Sequence, residues 1–355
     1  MKMRDEGSRV LSGAFLIALV LGFLWEAGRA GAQGRPFYEG KTLKIIVSSS
    51  AGGGTDSAGR LVARFLPKHL PGNPATYVQN MPAGGGILAN NYFFQVAKPN
   101  GLEIFQASSS TVTQFSRGGS RIRFDPREFK SVGSINRGGS ILMIRREVHS
   151  RLTDARAKPV VVGDADGSRT WLAMTLWGAD QLGWNCRWIY GYPGTGEMVL
   201  AFRQGEIEMM ATANVQIVED LVKEKVVDII AVTGDERRKD FPNVPSFVEL
   251  LGDKRPKGIS WQAYRFWAGP EELDKPLFAP PKTPAPIMAM LEASYVKMSK
   301  DPEFIKETGN FYGAGWYVRG AKATDDLVKE TTTVSKEVTD FLQNIRKKKG
   351  LPTGR

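Results

Sequence analysis

Five glycine- or hydroxyl-rich turns carry the chemistry this sequence offers. Ser49–Asp56 reads SSAGGGTD, and Met81–Gly86 reads MPAGGG. Ser108–Thr111 places Ser109 among consecutive hydroxyls. Gly167-Ser168-Arg169-Thr170 and Gly191–Glu197 (GYPGTGE) are two more polar turns, further along the chain. Glycine lets backbone approach a ligand closely. Where a helix follows, its first N–H groups lack intrahelical partners, and the positive dipole end points the same way. Such a turn suits a carboxylate or phosphate. Thr55 adds a hydroxyl donor. Asp56 would repel an anion if it pointed inward; helix capping is its other reading. Arg169 is an ionic partner for a carboxylate if it faces in, because guanidinium binds carboxylate bidentately. If it faces out, it is a solvated cation. Trp171 reads either as core or as an aromatic wall.

Catalytic machinery is thin. His69 and His149 lie in different segments, and neither has a partner at metal-ligand spacing. G-x-S-x-G and H-E-x-x-H are absent. Gly84-x-Gly86-x-x-Ala89 matches a dinucleotide fingerprint only in part, and Glu103 is poorly placed for the ribose. The GYPGTGE turn lacks the Lys and Ser/Thr of a nucleotide P-loop. Glu206 and Glu208 flank Ile207 on one strand face, a spacing that allows glycosidase-like geometry but fits a solvated acidic edge better. No catalytic residue, metal site or cofactor is expected.

These turns need elements to hold them. Leu43–Ser48, Thr76–Asn80 and Leu102–Ser108 read as strands, with helices after the glycine turns. The alternation restarts at Val160–Gly163 and continues through Cys186–Gly191, Ile207–Thr212 and Val226–Gly234. The pattern predicts two α/β lobes of mostly parallel sheets flanked by helices, with a ligand cleft between them. The lobes are expected at residues 37–138 and 139–262. Residues 263–355 are expected to form a return segment (Ala263–Gly269), a proline-rich linker (Pro270–Pro286) and C-terminal helices packing on the first lobe.

The N-terminus reads as an export signal, residues 1–32. Lys2, Arg4 and Arg9 precede a 16-residue apolar run, Val10–Trp25. Ala30-Gly31-Ala32 fits a small-x-small cleavage site, which makes the mature chain start at Gln33. An uncleaved anchor is the alternative, but the run is short of the ~20 residues that span a bilayer. The net charge is +11. Four cations against three acids in the leader leave +10 on the mature chain. Such a field attracts anions. The basic cluster Arg346–Lys349 reads as a helix end, and nothing else suggests nucleic acid. Cys186 is the only cysteine, which excludes an intrachain disulfide.

The ordered set KIIVSSSAGGGTDSAGRLVARFL, YVQNMPAGGGILANNYFFQVAKPNG, the hydroxyl turn at Ser108–Thr111, YGYPGTGEMVLAFRQGEIEMM and TGDERRKDFPNVPSFVEL resembles the extracytoplasmic solute receptors of the tripartite tricarboxylate transporter type, including Bug/TctC-like proteins. The resemblance covers essentially the whole mature chain. It implies a type II-like periplasmic-binding-protein fold and a receptor that hands a small organic acid to a membrane permease. By resemblance, Gly53, Gly54 and Thr55 form the first binding turn, Ala83, Gly84 and Gly85 the second, and Ser168 and Thr170 belong to the turn of the other lobe. That last turn departs from the family pattern: Asp164, Asp166, Arg169 and Trp171 stand around it. A periplasmic monomer without enzymatic activity is expected. An exported hydrolase or lyase in the same cleft, or a sensory binding partner, are the competing functions.

Overall fold

The computed structural model describes residues 35–351. The leader and its cleavage point after Ala32 lie outside the described residues. The first lobe opens with β1 (Thr42–Val47), α1 (Gly54–His69), β2 (Ala75–Asn80), α2 (Ile87–Gln95), β3 (Glu103–Gln106), α3 (Ser110–Arg117) and β4 (Lys130–Asn136). The second lobe follows with β5 (Ile141–Arg145), β6 (Val160–Asp164), α4 (Leu172–Gln181), β7 (Cys186–Tyr190), α5 (Thr195–Gln204) and β8 (Met209–Thr212). It continues with α6 (Val215–Lys223), β9 (Val227–Val232), α7 (Phe247–Leu251) and α8 (Gly258–Ala268). The chain returns through β10 (Lys275–Ala279), α9 (Ala285–Met298), α10 (Pro302–Tyr312), β11 (Tyr317–Gly320) and α11 (Ala321–Thr332), and ends on α12 (Lys336–Lys348).

Each lobe is built on one sheet. The orders are β11-β4-β10-β3-β1-β2 and β7-β6-β8-β5-β9. Both sheets are mixed, which corrects the expectation of mostly parallel ones. β1 pairs in parallel with β2 and β3, but β10 lies antiparallel between β3 and β4. β5 lies antiparallel between β8 and β9. The proline-rich stretch thus hides a central, fully buried strand, KPLFA. Pro276 brings no N–H to the ladder, but its carbonyl takes bonds from Ala107 N and Gln106 Nε2.

Side chains alternate across the first sheet as the pleat demands. Ile45, Val47, Ile104 and Leu277 face a core closed by Leu61 and Phe65 of α1 and Leu291 and Tyr295 of α9. Ile46, Phe105 and Phe278 face the other way, onto Phe93, Phe129 and Val328.

Among the described residues the chain crosses between lobes three times: before β5, before β10, and between α11 and α12. The third crossing departs from expectation. α11 packs on the first lobe, against β4. α12 lies on the second, where Val338, Leu342 and Ile345 join the core. The stripe of α12 matches a groove on α8, not one on the first lobe. The segment read as a return, Ala263–Gly269, is mostly α8 itself, with Ala263, Tyr264 and Trp267 buried in the second lobe.

Candidate functional site

The cleft lies where the parallel strands of both lobes end, the position ligands take in open α/β sheets. Four helices open onto it. Its lining includes Gly53, Gly54 and Thr55 at the start of α1, and Ser109 and Ser110 at the start of α3. From the other lobe come Thr170 and Trp171 at the start of α4, and Thr195 at the start of α5. None of these four helices has a side-chain cap. Asn214, Ser246, Asp301 and Ser335 do cap helices elsewhere. The amides of Gly54 and Thr55 opening α1 and of Thr195 and Gly196 opening α5 stay available, whereas Thr111 N and Val112 N in α3 and Leu172 N and Ala173 N in α4 are taken by backbone carbonyls of the preceding turn. Ser48 and Trp171, both buried in the lining, add an unpartnered Oγ and Nε1. The cleft has a volume of about 70 Å³.

The lobes meet closely at the rim. A Cβ on Gly85 would stand 2.9 Å from Asp166 Cγ. A Cβ on Gly194 would collide with Ser50 Oγ. Ser50 Oγ donates to Glu197 Oε2 across the gap at 3.4 Å.

The floor is ionic. Arg137 lies on the first crossing, and Glu271, Asp274 and Lys275 lie on the second. Asp274 accepts from Arg137 N, Nε and Nη2 at 2.9, 2.7 and 2.8 Å. Lys275 Nζ stands 2.9 Å from Asp274 Oδ1, the oxygen that also accepts from Arg137 Nη2. Burial opposes the Asp274 charge, but Arg137 and Lys275 outweigh it and hold the carboxyl far below its usual range. Burial and the neighbouring Arg137 push Lys275 down to about 8. Burial, with Asp274 nearby, pushes Glu271 up; its oxygens accept from Ser140 Oγ at 2.6 Å and from Thr170 Oγ1. Sequence reasoning missed this floor.

The expected site residues divide. Gly53, Gly54, Thr55, Gly85, Ser109, Arg169 and Thr170 all line the cleft. Ala83 and Gly84 do not: they form the exposed side of a 3-10 turn whose last residues reach inward. Ser168 is buried beneath its own turn, where its hydroxyl donates to Asp166 Oδ1 at 2.6 Å. Asp56 faces away from the cleft and accepts from Gly52 N, Arg60 Nε and Asn80 Nδ2 at 2.8–2.9 Å. Trp171 is both core and wall. Arg169 faces in but is shared: Nε lies 2.9 Å from Asp164 Oδ1, and Nη1 donates to Thr195 Oγ1 at 3.3 Å.

Asp164 titrates on its own account. Burial pushes it up to about 6 against the pull of Arg169. A carboxyl raised on folding stabilises the fold fully below its unfolded value of 3.8, and that contribution fades as pH rises through about 6. Asp164→Asn keeps an acceptor for Gly167 N and removes this dependence. Thermal melts at pH 4.5 and 7 are expected to show a smaller drop for the variant than for the wild-type protein.

The candidate catalytic groups serve structure. Arg151 forks both oxygens of Glu208 at 2.9 Å, and Glu206 accepts from Tyr192 OH at 2.5 Å. His69 pairs with Asp301 and His149 with Asp228, both away from the cleft. Among the described residues no cluster of His, Cys, Asp and Glu could hold a metal ion. Desolvation pushes the Cys186 thiol up to about 12, which leaves it a poor nucleophile.

A two-lobe cleft built from helix starts has a counterpart among known proteins. Residues 59–343 match the tripartite tricarboxylate transporter family receptor. The chain belongs to this family. A UPF0065 protein of Agrobacterium vitis is 27% identical over 286 residues, 78% of this chain and 76% of that one. The structure resembles MatC of Rhodopseudomonas palustris, solved with malate bound, at a TM-score of 0.64 and 21% identity. That match covers 84% of this chain and 99% of the other. The periplasmic binding protein BugD matches at 0.67 and 20% identity, over 88% and 99% of the chains. Family membership makes the protein a periplasmic solute-binding receptor of a tripartite tricarboxylate transport system, without catalytic activity.

Proposed function

We propose that the cleft takes a small organic carboxylate and that the lobes deliver it, still enclosed, to the membrane permease. The observation that carries this reading is the meeting of four helix starts without side-chain caps at one cleft, with free first-turn amides on α1 of one lobe and α5 of the other. Helix N-termini favour anions, and an acceptor-rich ligand satisfies their amides. Each acid in the lining is already held by protein donors, so the groups left facing the cleft are mainly donors. Malate, seen in MatC, is a reasonable first candidate. Cleavage after Ala32 and a monomeric mature protein complete the proposal.

A thermal-shift screen against malate, succinate, adipate, citrate and aromatic acids tests it. One acid present at 100 times its Kd is expected to add about 2.7 kcal/mol to unfolding stability. The screen must start from refolded protein free of carried-over ligand. Absence of any shift across the panel would count against the carboxylate reading.

A further inference from the structure

Arg137 stands one residue past β4, where the chain first leaves the first lobe. Its guanidinium is engaged on one edge only. Nε and Nη2 donate to Asp274 at 2.7 and 2.8 Å. Nη1 has no hydrogen-bond partner among the described residues, and it is not one of the sealed polar atoms of the interior. It lies against the first turn of α1, since a Cβ on Gly54 would fall well inside 3.0 Å of it. Arg137 as a whole is buried and lines the cleft. Asp274 thus aims the fork and leaves one donor edge facing the ligand space.

Four buried charged groups meet here. Arg137 and Lys275 share the carboxylate of Asp274. Glu271, whose oxygens accept from Ser140 and Thr170, also favours the charge on both cations. Arg137 Nη1 still has no acceptor among the described residues, which leaves it a donor for a ligand oxygen.

We infer that Arg137 reads the charge of the ligand, its Nη1 and the amides opening α1 sharing one carboxylate oxygen, with Asp274 as the positioning residue. This rests on the carboxylate reading above. The inference gives the two kinds of donor different tasks. Helix amides donate to any well-placed oxygen, whereas a guanidinium discriminates the charged group from its neutral isostere. Gly54 is required because any side chain there displaces the guanidinium.

Isothermal titration of the full mature chain tests this. The acid that binds best among malate, succinate, adipate and citrate is compared with its amide. Wild-type protein is expected to prefer the acid. Arg137→Gln is expected to lose about tenfold or more in affinity for the acid and to bind acid and amide within about threefold of each other. Arg137→Lys keeps the charge without the fork and falls between. Gly54→Ala keeps both charges but pushes the guanidinium off the first turn of α1, and serves if Arg137→Gln does not fold; it is expected to show the same loss of discrimination. Unchanged acid-over-amide preference in a folded Arg137→Gln, or in Gly54→Ala, would overturn the inference while leaving the receptor reading intact. A wild-type protein that binds none of the acids overturns both.

Discussion

Asp274→Ala is expected to lower the unfolding free energy by about 3–5 kcal/mol, the cost of leaving a buried ion pair without one partner. Two cations lose their shared counterion in that variant. Arg137 also loses the acceptor for its backbone N–H. The residue itself sits at φ 38°, in the left-handed region that Asp and Asn tolerate better than Ala. Asp274→Asn separates the two contributions. It keeps the backbone tolerance and one of the two acceptor oxygens, and loses the charge and the other acceptor, so it is expected to fall between wild type and Ala. Urea unfolding at pH 7 measures all three.

The pH dependence has a definite sign. The Asp274 carboxyl is depressed on folding, so its contribution is present above the unfolded value of 3.8 and is lost as pH falls through the lower folded value. Acidification below about pH 4 is therefore expected to bring the wild-type and Asp274→Ala curves together. A gap that persists into strong acid would mean that backbone strain, not charge, carries the effect.

What the sequence could disclose here depended on locality. The turn SSAGGGTD is contiguous, and its strand-turn-helix context is written in neighbouring residues, so Gly53, Gly54 and Thr55 were readable. The second turn was readable only in part. Gly84, Gly85 and Gly86 all have positive φ, and the chain reverses within them, so Ala83 and Gly84 end on the solvent side. The ionic floor was not readable at all. Arg137 and Asp274 are 137 positions apart, and no periodicity links them. The usable hint was a charge in an apolar setting: Arg137 follows the buried run of β4, and Lys275 opens the buried strand KPLFA. The mixed sheets were missed for the same reason. β10 and β11 are short, and one is masked by prolines. Their place is set by pairing with β3 and β4, far away in sequence. α12 showed its apolar stripe plainly, but a stripe does not name the surface it covers.

Arg117→Ala is expected to weaken binding of the preferred acid by about ten- to hundredfold, with little change in the melting temperature of the ligand-free protein. Arg117 ends α3 on the first lobe and reaches the Asp166 turn on the second. Its Nη1 donates to Asp166 O at 2.7 Å and its Nη2 to Asp166 Oδ2 at 3.1 Å. Thr113 Oγ1 and Gln114 Nε2 add bonds to Ser168 O and Asp166 Oδ2 at 2.5 and 3.2 Å. All of these bonds span the lobes, so they favour the closed arrangement and contribute nothing once the lobes part. A ligand that binds the closed form loses apparent affinity in proportion as that form is depopulated. Neither lobe is dismantled by the change. Asp166 keeps its bonds from Ser168 N and Oγ. Arg346, stacked 4.3 Å from the Trp267 ring centroid, still donates to Gly167 O at 2.7 Å within the second lobe. Removing Arg117 also removes a cation that disfavours the charge on Arg346, which burial already pushes down to about 10. Stopped-flow binding is expected to show the loss in the dissociation rate, and small-angle scattering a larger radius for the ligand-free variant. Equal affinity and equal radius would assign closure to the interlobe bonds that remain, those of Thr113, Gln114 and Ser50, instead.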